Sequence, residues 1–137
     1  MGISNVKTSR DLSSAIYYFS EKPHNGHSER YVSSRFANCT EKGCIQQTKA
    51  IREYFGKEKN VHGLTFVFSF SDKEIGLSDL DKQERIMDSL LDVLKERYGN
   101  RQIGLFAQTD GTGQKFHVHG FVNSPDLTTG KLIDGRL

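Results

Sequence analysis

The segment Leu64-Thr65-Phe66-Val67-Phe68-Ser69-Phe70-Ser71 alternates strictly: Leu64, Phe66, Phe68 and Phe70 fall on one side, Thr65, Val67, Ser69 and Ser71 on the other. Successive strand residues point to opposite faces, so this pattern predicts a β-strand with one heavily buried side. A face so apolar needs sheet neighbours and a layer packed over it.

The rest of the chain supplies both. IGLFAQTD (residues 103–110) and KFHVHGFVN (115–123) are two short strand-like segments joined through Gly111-Thr112-Gly113, a β-hairpin signature. Pro125 follows the second of them and should end it. Three segments repeat with helical spacing. Arg10–Glu21 carries Leu12, Ile16 and Phe19, widened by Ala15, with Ser9 or Asp11 as cap. A second helix is expected over Cys44–Phe55, with Ile45, Ala50, Ile51 and Phe55 apolar. The longest is expected over Ser78–Tyr98, capped by Ser78 and ended by Gly99-Asn100. Its stripe is Leu80, Ile86, Met87, Leu90, Leu91 and Leu94. The loop around Pro23 separates the first two. The order helix, loop, helix, strand, long helix, hairpin predicts an α+β fold, a central antiparallel β-sheet with flanking helices, in one domain over residues 1–137.

Bulk composition narrows the function classes. With 35% hydrophobic and 26% charged residues, the chain is too apolar for a disordered protein. It has no apolar run long enough to insert in a membrane, and MGISNVKTSRDL lacks the apolar middle of a signal peptide. Two cysteines, Cys39 and Cys44, make no disulfide framework, so a cytoplasmic setting is expected. Residues 1–70 hold ten Lys/Arg and six Asp/Glu, a balance of +4; residues 71–137 hold nine and eleven, a balance of −2. The basic half offers Lys7, Arg10, Arg35, Lys49 and Arg52 as phosphate contacts. The plain alternative is solvated surface charge.

The hairpin carries the chemistry. Alternation puts His117, His119, Phe121 and Asn123 on one face, and Phe106, Gln108 and Asp110 on one face of the preceding strand. A symmetric turn centred on Thr112-Gly113 sets Gln108 opposite His117 and Phe106 opposite His119. Opposed Cβ atoms lie about 5 Å apart, so in that register two imidazoles and an amide oxygen converge on one cation. All three ligands are neutral, which leaves a bound divalent ion most of its charge to polarise a phosphodiester. A solvated hairpin with two histidines is the bland alternative. A second metal reading takes His24, His27, Cys39 and Cys44 as Zn²⁺ ligands, at spacings irregular for a zinc finger.

Taken together these motifs resemble the mobilisation-type relaxases, HUH endonucleases in which U is a hydrophobic residue. His117-Val118-His119 is an HUH motif, and the run to Asn123 matches an H-x-H-x-x-x-N pattern. Gln108-Thr109-Asp110 matches the family's H-x-D element, with glutamine in place of the usual histidine. SSAIYYFSE (residues 13–21) looks like the tyrosine motif of the first helix, and LTFVFSF like the central strand before the long helix. The tyrosines precede the HUH motif, as in relaxases and unlike replication initiators.

The resemblance implies nicking of single-stranded DNA at a plasmid origin of transfer by tyrosine transesterification, leaving a 5′-phosphotyrosyl link. It implies Tyr18 as nucleophile, which sits at the edge of the apolar stripe, with Tyr17 as the second candidate. His117, His119 and Gln108 become the metal ligands. Asp110 joins the catalytic group by fixing a histidine tautomer, or simply starts a turn; Asn123 orients a histidine, contacts DNA or caps the strand. The glutamine shifts metal preference towards harder ions, so Mn²⁺ or Mg²⁺ is expected, with Zn²⁺ or Ni²⁺ binding in vitro. Implied partners are the origin DNA, accessory mobilisation proteins and a coupling protein, in a bacterial cytoplasm. The resemblance also makes residues 1–137 the N-terminal part of a longer protein. Two other functions stay open: a non-catalytic single-stranded DNA-binding module of the same fold, and a metal-dependent hydrolase with a water nucleophile.

Overall fold

The alternating segment is strand β3, Gly63–Ser69, in a computed structural model that describes residues 2–20, 33–71, 73–76, 78–109 and 115–134. Around it the chain runs β1 (Gly2–Ser9), α1 (Leu12–Ser20), β2 (Ser33–Ala37), α2 (Cys44–Tyr54), β3, α3 (Leu80–Tyr98), β4 (Ile103–Gln108) and β5 (His117–Asn123). The five strands form one sheet in the order β1-β3-β5-β4-β2, with every ladder antiparallel. This is the expected α+β architecture with two strands added.

The sheet is covered on both faces. Phe66, Phe68, Leu105, Ala107, Val118 and Val122 face Met87, Leu90 and Leu94 of α3. On the opposite face Phe106 and Phe121 meet Leu12, Ile16 and Phe19 of α1 and Cys44 of α2. Each such side chain, fully buried, stabilises the fold by about 1.5–3 kcal/mol. Two glycines let large rings lie flat on the sheet. A Cβ on Gly104 would strike the Phe121 ring, and one on Gly120 the Phe66 ring.

The added strands, β1 and β2, are the two edges of the sheet. In β1, Asn5, Lys7 and Thr8 are exposed; no residue of β2 is fully buried. Edge strands are kept polar to block further pairing, which removes the apolar signal that marks β3.

Helix ends follow local chemistry. Asp11, not Ser9, caps α1: its Oδ1 accepts from the Ser14 N–H at 3.1 Å, while the Ser9 hydroxyl accepts from the Asp11 N–H. Asp79, not Ser78, caps α3 through the Lys82 N–H at 3.2 Å. Leu80 is therefore the first residue of that helix and is 63% exposed; Gln83 takes the buried place, donating to the Gly76 carbonyl. Gly99 ends α3 at a φ of 66°, a conformation that suits glycine. The buried residues of α2 are Cys44, Thr48 and Arg52; of the apolar positions read from the sequence, Ile45 packs partly buried on the same core and Ala50 is exposed. This helix buries a polar stripe because it faces Asn123 and Gln102 at the far end of the sheet.

Candidate active site

The register of β4 and β5 sets the site. Gln108 is opposite His117 and Phe106 is opposite His119, the pairing expected from a symmetric turn. Both histidines are half-buried on the face covered by α1, and their rings stand edge to face with centroids 5.2 Å apart. Gln108 is fully buried between them and the helix. Its Nε2 donates to the Phe19 carbonyl at 2.6 Å, and its Oε1 lies 3.2 Å from Nε2 of His117. The Phe19 ring stacks on the His119 ring at 4.8 Å, tilted by 19°. The end of α1 is thus joined to both histidines.

The donors around His117 constrain its chemistry. Nδ1 is 2.8 Å from the Lys115 carbonyl oxygen, and Nε2 faces the Gln108 oxygen. A neutral imidazole has one N–H and so satisfies only one of two carbonyl oxygens. The amide cannot turn to help, because the Phe19 carbonyl needs its NH₂ group. With the proton on Nδ1, the Nε2 lone pair and the Gln108 oxygen face each other, an arrangement that a cation placed between them would relieve. The donor set therefore fits a metal ion held by nitrogen and a neutral oxygen. Among the described residues no group of three His, Cys, Asp or Glu side chains is gathered that would hold one instead.

Tyr17 and Tyr18 are 51% and 42% exposed. Tyr18 directly precedes Phe19, so its Cα is about 3.8 Å from that of the residue stacked on His119. Asp110, the acidic partner, lies outside the described residues, as do His24 and His27.

Several predicted residues sit elsewhere. Asn123 is fully buried at the other end of β5. Its amide donates to the Thr48 carbonyl and Gln102 Oε1, and its oxygen accepts from Arg52; it anchors α2 rather than a histidine. Arg52 is 1% exposed and its guanidinium is engaged by Glu58, Asn123 and Ser13, so it has no surface to offer a phosphate. Arg35 pairs with Glu84 and Asp88 on α3. Sequence reading misses such pairings because the partners are about fifty residues away. Lys7, Arg10 and Lys49 are exposed, and Arg10 donates to the Lys59 carbonyl at 3.3 Å. The thiols of Cys39 and Cys44 donate to the carbonyls of Ile103 and Glu41, and burial pushes the Cys39 thiol up to about 12. His62, without an evident partner in the sequence, accepts the Leu12 N–H and contacts Glu58. The Glu58/His62 spacing of four was its only sequence signal.

An antiparallel sheet bearing an H-x-H pair on its central strand, with a tyrosine-bearing helix across that face, is the frame of an HUH-type nuclease domain. The chain belongs to the MobA/VirD2-like relaxase nuclease domain family, whose family model matches residues 17–136. No curated protein and no solved structure matches it. Family membership makes it a relaxase-type nuclease domain, of a kind that nicks DNA in plasmid mobilisation and generally uses a divalent metal. Among the described residues no helix is long and apolar enough to cross a membrane.

Proposed function

We propose that this chain nicks one strand of DNA at a plasmid origin of transfer and keeps hold of it through Tyr18. The tyrosine hydroxyl gives up its proton as its oxygen bonds to phosphorus, the bond from phosphorus to the 3′ oxygen breaks, and the departing 3′ oxygen takes up a proton, so that no net proton is gained or lost. The 5′ phosphate remains on the protein, and reversal of the step rejoins the strand without ATP. A phenol with a pKa near 10 is a weak nucleophile at neutral pH and needs a charge or base beside it. His117, His119 and Gln108 would hold a divalent ion, Mn²⁺ or Mg²⁺ in a bacterial cytoplasm. Such an ion supplies charge stabilisation to the phosphate as negative charge builds up. Lys7, Arg10 and Lys49 would contact flanking phosphates. Accessory mobilisation proteins and a coupling protein are the expected partners.

The observation that carries this reading is the bond from Gln108 to the Phe19 carbonyl. It makes the helix that bears both tyrosines continuous with the histidine pair. The test is covalent capture. A randomised single-stranded DNA pool is incubated with the protein and Mn²⁺, and species surviving denaturing gels are recovered and sequenced. A protein–DNA adduct that disappears in Tyr18→Phe supports the proposal. Binding without an adduct points to a non-catalytic module. Cleaved DNA with no covalent protein points to a water nucleophile.

A further inference from the structure

The described residues of helix α1 are nine, Leu12–Ser20, and a helix in a protein takes most of its stability from tertiary packing rather than from its own propensity. Its direction must be imposed from outside. Gln108 imposes it at the C-terminal end. A separate group of side chains, centred on His62 and Glu58, imposes it at the N-terminal end. His62, just before β3, accepts the Leu12 N–H on Nδ1 at 3.2 Å. A ring nitrogen that accepts carries no proton, so the imidazole proton sits on Nε2. There it meets the Glu58 carbonyl at 2.8 Å and the Glu58 carboxylate at 3.0 Å. The same carboxylate oxygen accepts from Nε of buried Arg52 at 2.9 Å, and Arg52 reaches Ser13 Oγ at 3.5 Å and Asn123 Oδ1 at 3.1 Å. The His62 main chain is fixed too: its N–H donates to Ser9 and its carbonyl accepts from Ser124, both at 2.8 Å.

We infer that His62, oriented by Glu58, is a positioning residue for the tyrosine nucleophile, aiming α1 from the end opposite the chemistry. The inference rests on the reading of a tyrosine of α1 as nucleophile. Tyr18 is six residues from Leu12, about 9 Å along the helix axis, so His62 acts on it only through the helix. Displacing a reacting atom by about 1 Å can cost on the order of a hundredfold in rate.

The test uses His62→Ala, His62→Asn and His62→Gln. The asparagine oxygen lies where Nδ1 does and can still accept the Leu12 N–H; the polar atoms of glutamine lie one bond further out. Single-turnover adduct formation is measured at saturating concentrations of an oligonucleotide recovered by covalent capture. Backbone hydrogen exchange of residues 12–20 is followed in parallel. Expected results are at least a tenfold slower adduct step in the alanine and glutamine variants, with DNA affinity within twofold of wild type. Faster exchange should be confined to α1 in those two variants, and the asparagine variant should recover both readouts. Equal rates in the asparagine and glutamine variants overturn the inference, even if the alanine variant fails to fold. A wild-type rate in the alanine variant overturns it as well. A wild-type chain that forms no adduct sinks instead the reading of Tyr18 as nucleophile, and the catalytic part of this inference with it; the exchange data then stand as a test of the helix anchor alone.

Discussion

The side-chain amide of Gln108 donates to the main-chain carbonyl of Phe19 at 2.6 Å across 89 residues of sequence. If Gln108 holds the place the motif resemblance gives to a histidine, the bond gives the glutamine a physical sense. An imidazole can donate from one ring nitrogen and bind a cation through the other, and the glutamine divides the same two tasks between the two atoms of its amide. It presents a donor to the Phe19 carbonyl and an oxygen to the candidate cation.

Replacing Gln108 should therefore separate stability from metal affinity. Gln108→Ala leaves the Phe19 carbonyl buried without its donor, at a cost of about 1–3 kcal/mol, read as a lower Tm in metal-free buffer. Gln108→His keeps a ring N–H for the Phe19 carbonyl, so its Tm should fall less than that of Gln108→Ala, and it should bind Mn²⁺ or Ni²⁺ more tightly in calorimetry, because imidazole is the stronger ligand for transition metals. A variant that kept both properties unchanged would remove Gln108 from the site.

The two tyrosines should behave differently. Tyr17→Phe is expected to form the DNA adduct within threefold of the wild-type rate, whereas Tyr18→Phe forms none. Peptide mapping of the captured adduct gives the same answer directly. A phosphotyrosyl peptide mapped to Tyr17 would reverse the assignment.

Acid should loosen the attachment of β2 to α3. The Arg35 guanidinium bonded to Glu84 holds that carboxyl below its usual value of 4.5, against a smaller opposing effect of burial. A carboxyl with a lowered folded-state pKa stabilises the fold above its unfolded value, and that contribution is lost as pH falls through the folded value. The Tm gap between wild type and Glu84→Gln should thus be open at pH 7 and close as pH falls below the usual carboxyl value of 4.5 and through the lowered folded one. Half-molar salt should narrow it at pH 7, since both side chains reach solvent. Asp11 and Asp126 are also held low, but they are common to both proteins and cancel in the difference.

Cys39 should be slow to alkylate. Burial, with the neighbouring Cys44 thiol, pushes its pKa from 9.0 to about 12. At pH 8 that lowers the thiolate fraction about a thousandfold, since each unit is a factor of ten. Iodoacetamide labelling followed by mass spectrometry should show Cys39 protected in native protein and reactive in urea. Rapid native labelling would contradict the burial.

What could be read from the sequence was whatever local periodicity encodes. β3 declared itself through four apolar residues in alternation, and the opposition of Gln108 to His117 followed from counting outward from a turn. β1 and β2 were illegible because an edge strand has no need of a continuous apolar face. The inner face of α2 was misread for a related reason. A search for aliphatic residues finds Ile45 and Ile51, whereas the helix turns Thr48 and Arg52 inward to meet Asn123. Arg35 looked available to phosphates because Glu84 and Asp88 lie about fifty residues away, and Arg52 because burial against Asn123, 71 residues on, cannot be read locally, although its ion-pair partner Glu58 is only six residues away. The role of His62 needed contacts reaching back fifty residues.

β5 runs third of five, hydrogen-bonded to β3 on one flank and to β4 on the other. Neither imidazole can shift its backbone unless two neighbouring strands yield with it. On the proposed reading, a DNA strand at these rings would meet an unyielding pair of landmarks, and accommodation would fall to that strand and to the helix overhead.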